Sequence, residues 1–255
     1  MSIARRRWPA VKQFWFDEPI TTRGVDVAYF RQRSNAPVGS TFRTFDTLLV
    51  DLTGTEEDIQ ERFNKETRYE IRRAHTKDAL TYMPVSRPDK SLILVFHAFY
   101  CLFLKNKGIE DAVDIEYLIT AANAGCLHLT SIQWQGEVLV WHSFIASDHR
   151  ACLLHSASLL PGAESSLKSL ISRANRYHHW LDMQYFKGQG VQTYDLGGVY
   201  QPKDAQGQPR NNPFKASFGG TRVTEYYGEM ACSNLGRFYL WIRSIKKKLS
   251  PSLSR

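Results

Sequence analysis

Leu127-His128-Leu129-Thr130-Ser131-Ile132-Gln133-Trp134, a turn at Gln135-Gly136, and Glu137-Val138-Leu139-Val140-Trp141-His142-Ser143-Phe144-Ile145-Ala146 decide the fold class. Here the apolar period changes to two, the spacing of a strand with one buried face. A second turn at Ser147-Asp148-His149-Arg150 leads into residues 151–158, so three strands form an antiparallel meander. If that turn closes symmetrically, residues whose numbers sum to 297 face each other. His142 and His155 then become cross-strand neighbours on one face, able to act as a base or to bind an anionic group. A hydrogen-bonded structural pair is the commoner use of two such imidazoles.

Outward from the meander the period returns to that of helices. Downstream, Ser165 or Ser166 opens a long helix whose apolar stripe is Leu167, Leu170, Ile171, Ala174, His178, Leu181 and Tyr185. His178 reads as a satisfied core histidine; Asn175 and Trp180 lie off the stripe and are candidates for substrate contact. Upstream, Leu48-Leu49-Val50-Asp51-Leu52 is a short strand, and Thr55-Glu56-Glu57-Asp58 opens a helix with a capping-box pattern. Its apolar face is Ile59, Phe63, Thr67, Ile71 and Ala74. Arg68 and Arg72, four apart beside Lys65, could clamp a phosphate or carboxylate, or simply pair with Glu61, Glu66 and Glu70. Residues 80–85 read as a strand, and residues 88–107 and 114–123 as helices. The whole is an α+β pattern with a mixed, mainly antiparallel sheet flanked by helices.

Beyond the long helix come Gln192-Thr193-Tyr194-Asp195-Leu196-Gly197-Gly198 and, after a polar loop at 200–213, Phe214-Lys215-Ala216-Ser217-Phe218-Gly219-Gly220. Glycine pairs permit sharp turns and close backbone approach. A lysine held between phenylalanines is placed as a point charge, suited to stabilising a developing oxyanion. Asp195 could deprotonate an attacking ammonium, or accept N–H bonds from the Gly197-Gly198 turn. Within the loop at 200–213, residues 201–212 include no apolar residue large enough to anchor it, which fits a lid that closes over substrate.

The chain has 255 residues and a net charge of +8. Residues 1–43 hold eight Lys/Arg against three Asp/Glu, and residues 201–255 hold ten against three. Basic ends around a neutral body point to an anionic partner: a phosphate-bearing substrate, tRNA or a membrane surface. The segment from Phe238 to Leu249 joins bulky apolar residues to Lys246-Lys247-Lys248, as an interfacial or capping helix would. No apolar run reaches the roughly 18–20 residues that span a bilayer. Cys101, Cys126, Cys152 and Cys232 lie far apart without metal-ligand spacing, so neither a zinc site nor a disulfide framework is expected, and the reading is cytoplasmic.

Four words in order resemble the GNAT fold and, within it, the Fem-type aminoacyltransferases. They are Lys65-Glu66-Thr67-Arg68-Tyr69-Glu70-Ile71-Arg72-Arg73-Ala74, Ser172-Arg173-Ala174-Asn175 with His179-Trp180, Tyr194-Asp195-Leu196-Gly197-Gly198, and Phe214-Lys215 with Phe218-Gly219-Gly220. The resemblance covers roughly residues 45–230. It implies a single GNAT-like lobe at 44–255 with an N-terminal extension at 1–43, where Fem enzymes proper have two lobes. It also implies an N-acyltransferase working by direct aminolysis on a cell-envelope or amino-sugar precursor. Lys215 and Asp195 would be catalytic; Phe214, Tyr194, Arg68, Arg72, Asn175, Trp180, His142 and His155 would bind substrate. No permanent cofactor or metal is expected. Acyl-CoA, an acyl carrier protein or aminoacyl-tRNA would be the co-substrate, and a phosphate-bearing or lipid-linked molecule the acceptor. Peripheral contact with the inner membrane face through the basic C-terminal helix is a further expectation. A different class remains open: a catalytically silent GNAT-like module that binds tRNA or an anionic membrane. The turn at 160–165, where GNAT enzymes bind the CoA pyrophosphate, has a single glycine and Glu164, so the donor is not written in the sequence.

Overall fold

The computed structural model describes residues 2–5, 8–110, 113–159, 164–199 and 213–249. The chain forms two compact units, residues 47–223 and residues 1–46 with 224–255.

Strand β4 (Thr41–Asp51), which belongs to the larger unit from Thr47 on, leads to helices α1 (Glu56–Glu61) and α2 (Lys65–Lys77). Strand β5 (Leu80–Ser86), helices α3 (Lys90–Lys107) and α4 (Ile115–Asn123), and the meander β6 (Leu127–Trp134), β7 (Glu137–Ala146) and β8 (Arg150–Ser158) follow. Helix α5 (Ser165–Gly188), strand β9 (Thr193–Gly198) and the short helix α6 (Pro213–Ala216) complete it. The strand order is β4-β9-β8-β7-β6-β5, antiparallel except for the parallel pair β8/β9. This is the α+β architecture, with a mixed and mainly antiparallel sheet, expected from an alternating meander between helices.

One expected helix is two. Thr55 and Asp58 form the capping box of α1, but the chain stops at Arg62 and restarts at Asn64, whose side chain accepts from Thr67 N at 2.8 Å. The Asn64 N–H leaves the helical ladder for Ser217 O at 2.9 Å, and Thr67 Oγ1 donates to Ser217 Oγ at 2.8 Å. A partner 150 residues away therefore interrupts a periodicity that runs on in sequence. Helix α5 packs on α2 through Arg173, which donates to Asp78 at 2.7 and 3.0 Å, and through Arg176–Glu70 at 2.9 Å. The middle of α5 is buried nearly all round, so Tyr177, Trp180, Met183 and Phe186 join the expected stripe in the core.

In the smaller unit, β1 (Ser2–Arg5), β2 (Val11–Trp15), β3 (Val27–Arg33) and β10 (Thr221–Ala231) pair in that order, with β2/β3 parallel and the other pairs antiparallel. Helix α7 (Asn234–Leu249) follows. Residues 1–43 show weak periodicity because these strands are short and take their order from a strand near the other end of the chain. Asp26 organises the region: it accepts from Ala10 N at 2.8 Å and Ser233 Oγ at 2.5 Å, and Ser233 in turn accepts from Gly236 N.

Candidate active site

The parallel pair β8/β9 lasts only three register positions, ending at Cys152↔Asp195. Beyond it β8 stays with β7 and β9 with β4, and both neighbours carry a register shift at this level, between Ser143 and Phe144 and between Thr47 and Leu49. Gly197 sits at this junction with φ +71; a Cβ there would lie 2.7 Å from Leu153 O, so only glycine fits.

Asp195 at the junction is fully buried. One oxygen accepts from Thr47 Oγ1 and from Gly197 N at 2.8 Å, the other from Arg150 Nε at 3.1 Å and Nη2 at 2.6 Å. That is the turn-holding role, strengthened by an ion pair, and it leaves the carboxylate no clear lone pair for an incoming ammonium. Lys215, partly buried on α6, donates to Gly198 O at 2.7 Å. Burial lowers its pKa, opposed by the charge of Asp195 and by Cys152. Phe214 packs beside it against His179 and Phe218, with the Arg176 guanidinium 5.3 Å from its ring centre. Lys215 and Phe214 are therefore brought to the end of β9.

Behind this point lies a closed polar network. His142 Nδ1 is 2.6 Å from Asp182 Oδ2 and its Nε2 is 3.1 Å from Asn175 Oδ1. Tyr82 donates to Asp182 Oδ1 at 2.9 Å. The His178 ring stacks on His142 at 3.9 Å and 4°, with Nε2 2.8 Å from Thr130 Oγ1, while its Nδ1 has no hydrogen-bond partner. His179 Nδ1 is 2.8 Å from the Tyr194 hydroxyl. Burial drives the pKa values of His178 and His179 well below the usual imidazole range, helped by His142 and, for His179, by Lys215. The Tyr82 and Tyr194 phenols are pushed up, chiefly by burial and then by Asp182. His142, His178 and Asp182 place two nitrogens and a carboxylate oxygen within 4.8 Å, a donor set that could hold a divalent cation. Those atoms are already engaged with one another and with Tyr82 and Thr130, so a cation would have to displace these bonds.

Several expectations change here. His142 and His155 are not cross-strand partners: the bulge at Ser143/Phe144 moves the register to His142↔Ser156 and Ser143↔His155. His142 thus faces α5, while His155 accepts or donates at Ser143 Oγ, 2.9 Å away, and packs on Tyr100 and Phe96 of α3. Trp180 is a core side chain edge-on to Phe63, and Tyr194 has no exposed surface, so neither presents a substrate-contacting face. Asn175 is partly exposed and bonded to His142. Asp182, Tyr82 and Thr130 belong to no motif that sequence alone flags. The one available signal is Asp182 four residues after His178, an ion-pair spacing inside an apolar stripe. The turn at 160–163 and the loop at 200–212 lie outside the described residues.

Arg68 and Arg72 are exposed on α2 and line, with Lys65, Glu66 and Tyr69, a cavity of about 670 Å³. Glu70 pairs instead with Arg176. Among the described residues neither arginine has an ion pair.

No family model matches the chain, and no curated protein matches it in sequence. Solved structures do. FemX aligns at TM-score 0.56 and 13% identity over 76% of this chain, which spans 63% of the FemX chain. The C-terminal domain of a putative lysylphosphatidylglycerol synthetase from Agrobacterium fabrum aligns at 0.54 and 13%, over 90% of this chain and 81% of its own. L-PGS from Bacillus licheniformis aligns at 0.52 and 11%, over 86% and 72%. The chain therefore has the GNAT-like, Fem-like fold that its sequence words resemble.

Proposed function

We propose that the protein is an acyl- or aminoacyltransferase that moves an acyl group from an activated ester or thioester to an amine on a phosphate-bearing, cell-envelope-type acceptor. The observation that carries this reading is Lys215, a partly desolvated ammonium fixed on the Gly198 carbonyl where β8 and β9 part. In direct aminolysis the amine nitrogen adds to the acyl carbon, and the carbonyl oxygen takes the negative charge. The intermediate then expels the thiolate or alkoxide, which leaves with the proton lost by the amine. An ammonium aimed at that oxygen stabilises the oxyanion, and a low-dielectric setting strengthens it. Asp195 holds the strand end rather than taking the proton. Arg68, Arg72 and Lys65 supply the cationic surface for the acceptor's phosphate. The fold likeness to a lysylphosphatidylglycerol synthetase domain supports an acceptor of this charge class.

The test offers the protein acyl-CoA, an acyl carrier protein thioester and aminoacyl-tRNA in turn, with amine acceptors bearing a phosphate, and follows product by mass spectrometry. Transfer from one donor that is lost in Lys215→Ala supports the reading. Binding of tRNA or anionic lipid without transfer from any donor would instead assign a non-catalytic module. Lys215 also offers a second role, because burial lowers its pKa toward that of a useful base. An oxyanion role needs the protonated form, so the rate falls as pH rises through the lysine's lowered pKa. A base role gives a rate that rises there.

A further inference from the structure

Net charge divides sharply between the two units. Residues 1–46 with 224–255 hold fourteen Lys/Arg against six Asp/Glu, whereas residues 47–223 hold nineteen of each, so the whole +8 of the chain lies in the smaller unit. Every acid is counted in that balance, including Asp26 and Glu229, which bond inside the unit. Like charge gathered in one small unit repels itself, and an anionic partner relieves that repulsion.

Helix α7 is where this excess meets exposed apolar surface. From Met230 to Arg255 the sequence contains no Asp or Glu, and the helix carries Arg237, Arg243 and, in its last turn, Lys246-Lys247-Lys248. Its inner side is set by Gly236, where a Cβ would lie 1.8 Å from Asp26 O. Seven residues later Arg243, on the same side, donates to the Tyr29 hydroxyl and to Glu229. Two positions on from each, a rotation of about 200°, Phe238 and Ile245 fall on the far side with Trp241 between them. Phe238 is 57% exposed, Trp241 58% and Ile245 37%, and the two aromatic rings stack at 6.0 Å and 26°. Cations in the last turn suit the helix dipole, so the lysines by themselves argue nothing. The dipole gives no reason for two large aromatic rings and an isoleucine set together in solvent beside them.

We propose that α7 docks in the plane of an anionic lipid surface. Phe238, Trp241 and Ile245 would enter the headgroup–acyl boundary, with the basic last turn at the level of the lipid phosphates. An indole suits that boundary, its ring apolar and its N–H wet. The inner side of α7 is committed to Asp26, Tyr29 and Glu229, so the stripe alone is available for contact. No helix among the described residues is long and apolar enough to cross a membrane. A second copy fits less well: pairing two α7 helices in either direction brings two units of like charge together, with no acid on either helix to answer them. Nucleic acid would meet the cations but not the stripe, since Phe238 and Trp241 already stack on each other and Ile245 has no ring to offer a base. The proposal does not rest on the acyltransfer reading.

The experiment is sedimentation of the full chain with vesicles of phosphatidylcholine alone and of phosphatidylcholine with phosphatidylglycerol in equal parts. Binding is expected only to the second, weakening with salt. Replacing Lys246, Lys247 and Lys248 by Gln should lower partitioning on the order of 100-fold. Replacing Lys90, Lys105 and Lys107 of α3 by Gln removes the same charge from the other unit and should leave partitioning nearly unchanged. Phe238→Ser with Trp241→Ser should lower it about tenfold or more, with an unchanged melting temperature showing that these exposed substitutions leave the fold intact. Brominated acyl chains should quench a component of the tryptophan emission that Trp241→Phe removes. An equal loss from the α3 set, or undiminished binding by the Phe238/Trp241 variant, would overturn the proposal. Absence of wild-type binding would do the same, and tRNA binding in its place would assign the helix to nucleic acid. A dimer in light scattering that Phe238→Ser/Trp241→Ser dissociates would assign the stripe to a second copy instead.

Discussion

Helices α2 and α5 pack together, yet they treat polar residues in opposite ways. Along α5, His178, His179 and Asp182 are buried, and nearly every polar atom is matched by Tyr82, Thr130, His142, Asn175 or Tyr194. Along α2, Arg68 and Arg72 stand in solvent beside a cavity that Glu66 also lines, and among the described residues neither has an ion pair. A buried polar group must find its partners inside the protein or cost stability, whereas an exposed cation is solvated and free to bind something else. The first arrangement builds the platform; the second is open to a ligand. Lys215 is intermediate between these cases, partly buried and bonded to the Gly198 carbonyl, its ammonium a charge at the strand junction.

The largest effect is expected at that intermediate position. Lys215→Ala should lower turnover by about 10²–10³-fold, some 3–4 kcal/mol of barrier, while stability changes little. Lys215→Arg should rescue poorly, since a planar fork does not replace a compact ammonium. Steady-state kinetics together with a thermal melt checks both, and activity within a few-fold of wild type would remove Lys215 from the mechanism.

Breaking the closed network should reverse that pattern. Asp182→Ala leaves His142 and the Tyr82 hydroxyl without their acceptor in a dry core, so urea unfolding should show a loss of about 3 kcal/mol or more. A variant within about 1 kcal/mol of wild type would mean that the network is slack, and the contrast with α2 would fail.

The same closure predicts acid sensitivity. Burial, and secondarily the charge of Arg87, hold His128 down to about 4 from 6.5. Between those values the unfolded chain binds a proton that the folded chain refuses, so stability falls as pH drops from 6.5 toward 4. For a complete shift the loss from this residue is about 3 kcal/mol. His178 and His179 are depressed too and act in the same direction. Equilibrium unfolding across this range should show a shallower slope in His128→Asn; an unchanged slope would place the acid sensitivity elsewhere.

The smallest effect on stability belongs to the open side. Arg68→Gln with Arg72→Gln should stay within about 0.5 kcal/mol of wild type in unfolding, because the two guanidiniums hold nothing in the fold. The same pair should raise KM for a phosphate-bearing acceptor, with kcat nearly unchanged. A clear loss of stability would show that these arginines are structural.

Much of this molecule was legible in the order of its residues. Alternation from Leu127 onward, the stripe from Leu167 to Tyr185 and the capping box at Thr55 are local patterns, and local patterns dictate local elements. The Phe214-Lys215 word singled out a lysine among aromatics, and the structure set it on the Gly198 carbonyl at the end of β9. What escaped was set at a distance. A single extra residue, Leu154 on β8 opposite Ser143 and Phe144, turned His142 and His155 to opposite faces, because side chains alternate with period two and any slip reverses them. Ser217 divided α1 from α2, and Asp195 passed from candidate base to held carboxylate through Thr47 and Arg150. The network around Asp182 joins residues 82, 130, 142, 175, 178 and 182, each unremarkable alone. The sequence by itself determined the strands and helices between residues 48 and 198, apart from the break between α1 and α2. Only the tertiary structure decided which polar groups are spent on one another and which are left for a ligand, because hydrogen-bond satisfaction depends on proximity in space and not on spacing along the chain.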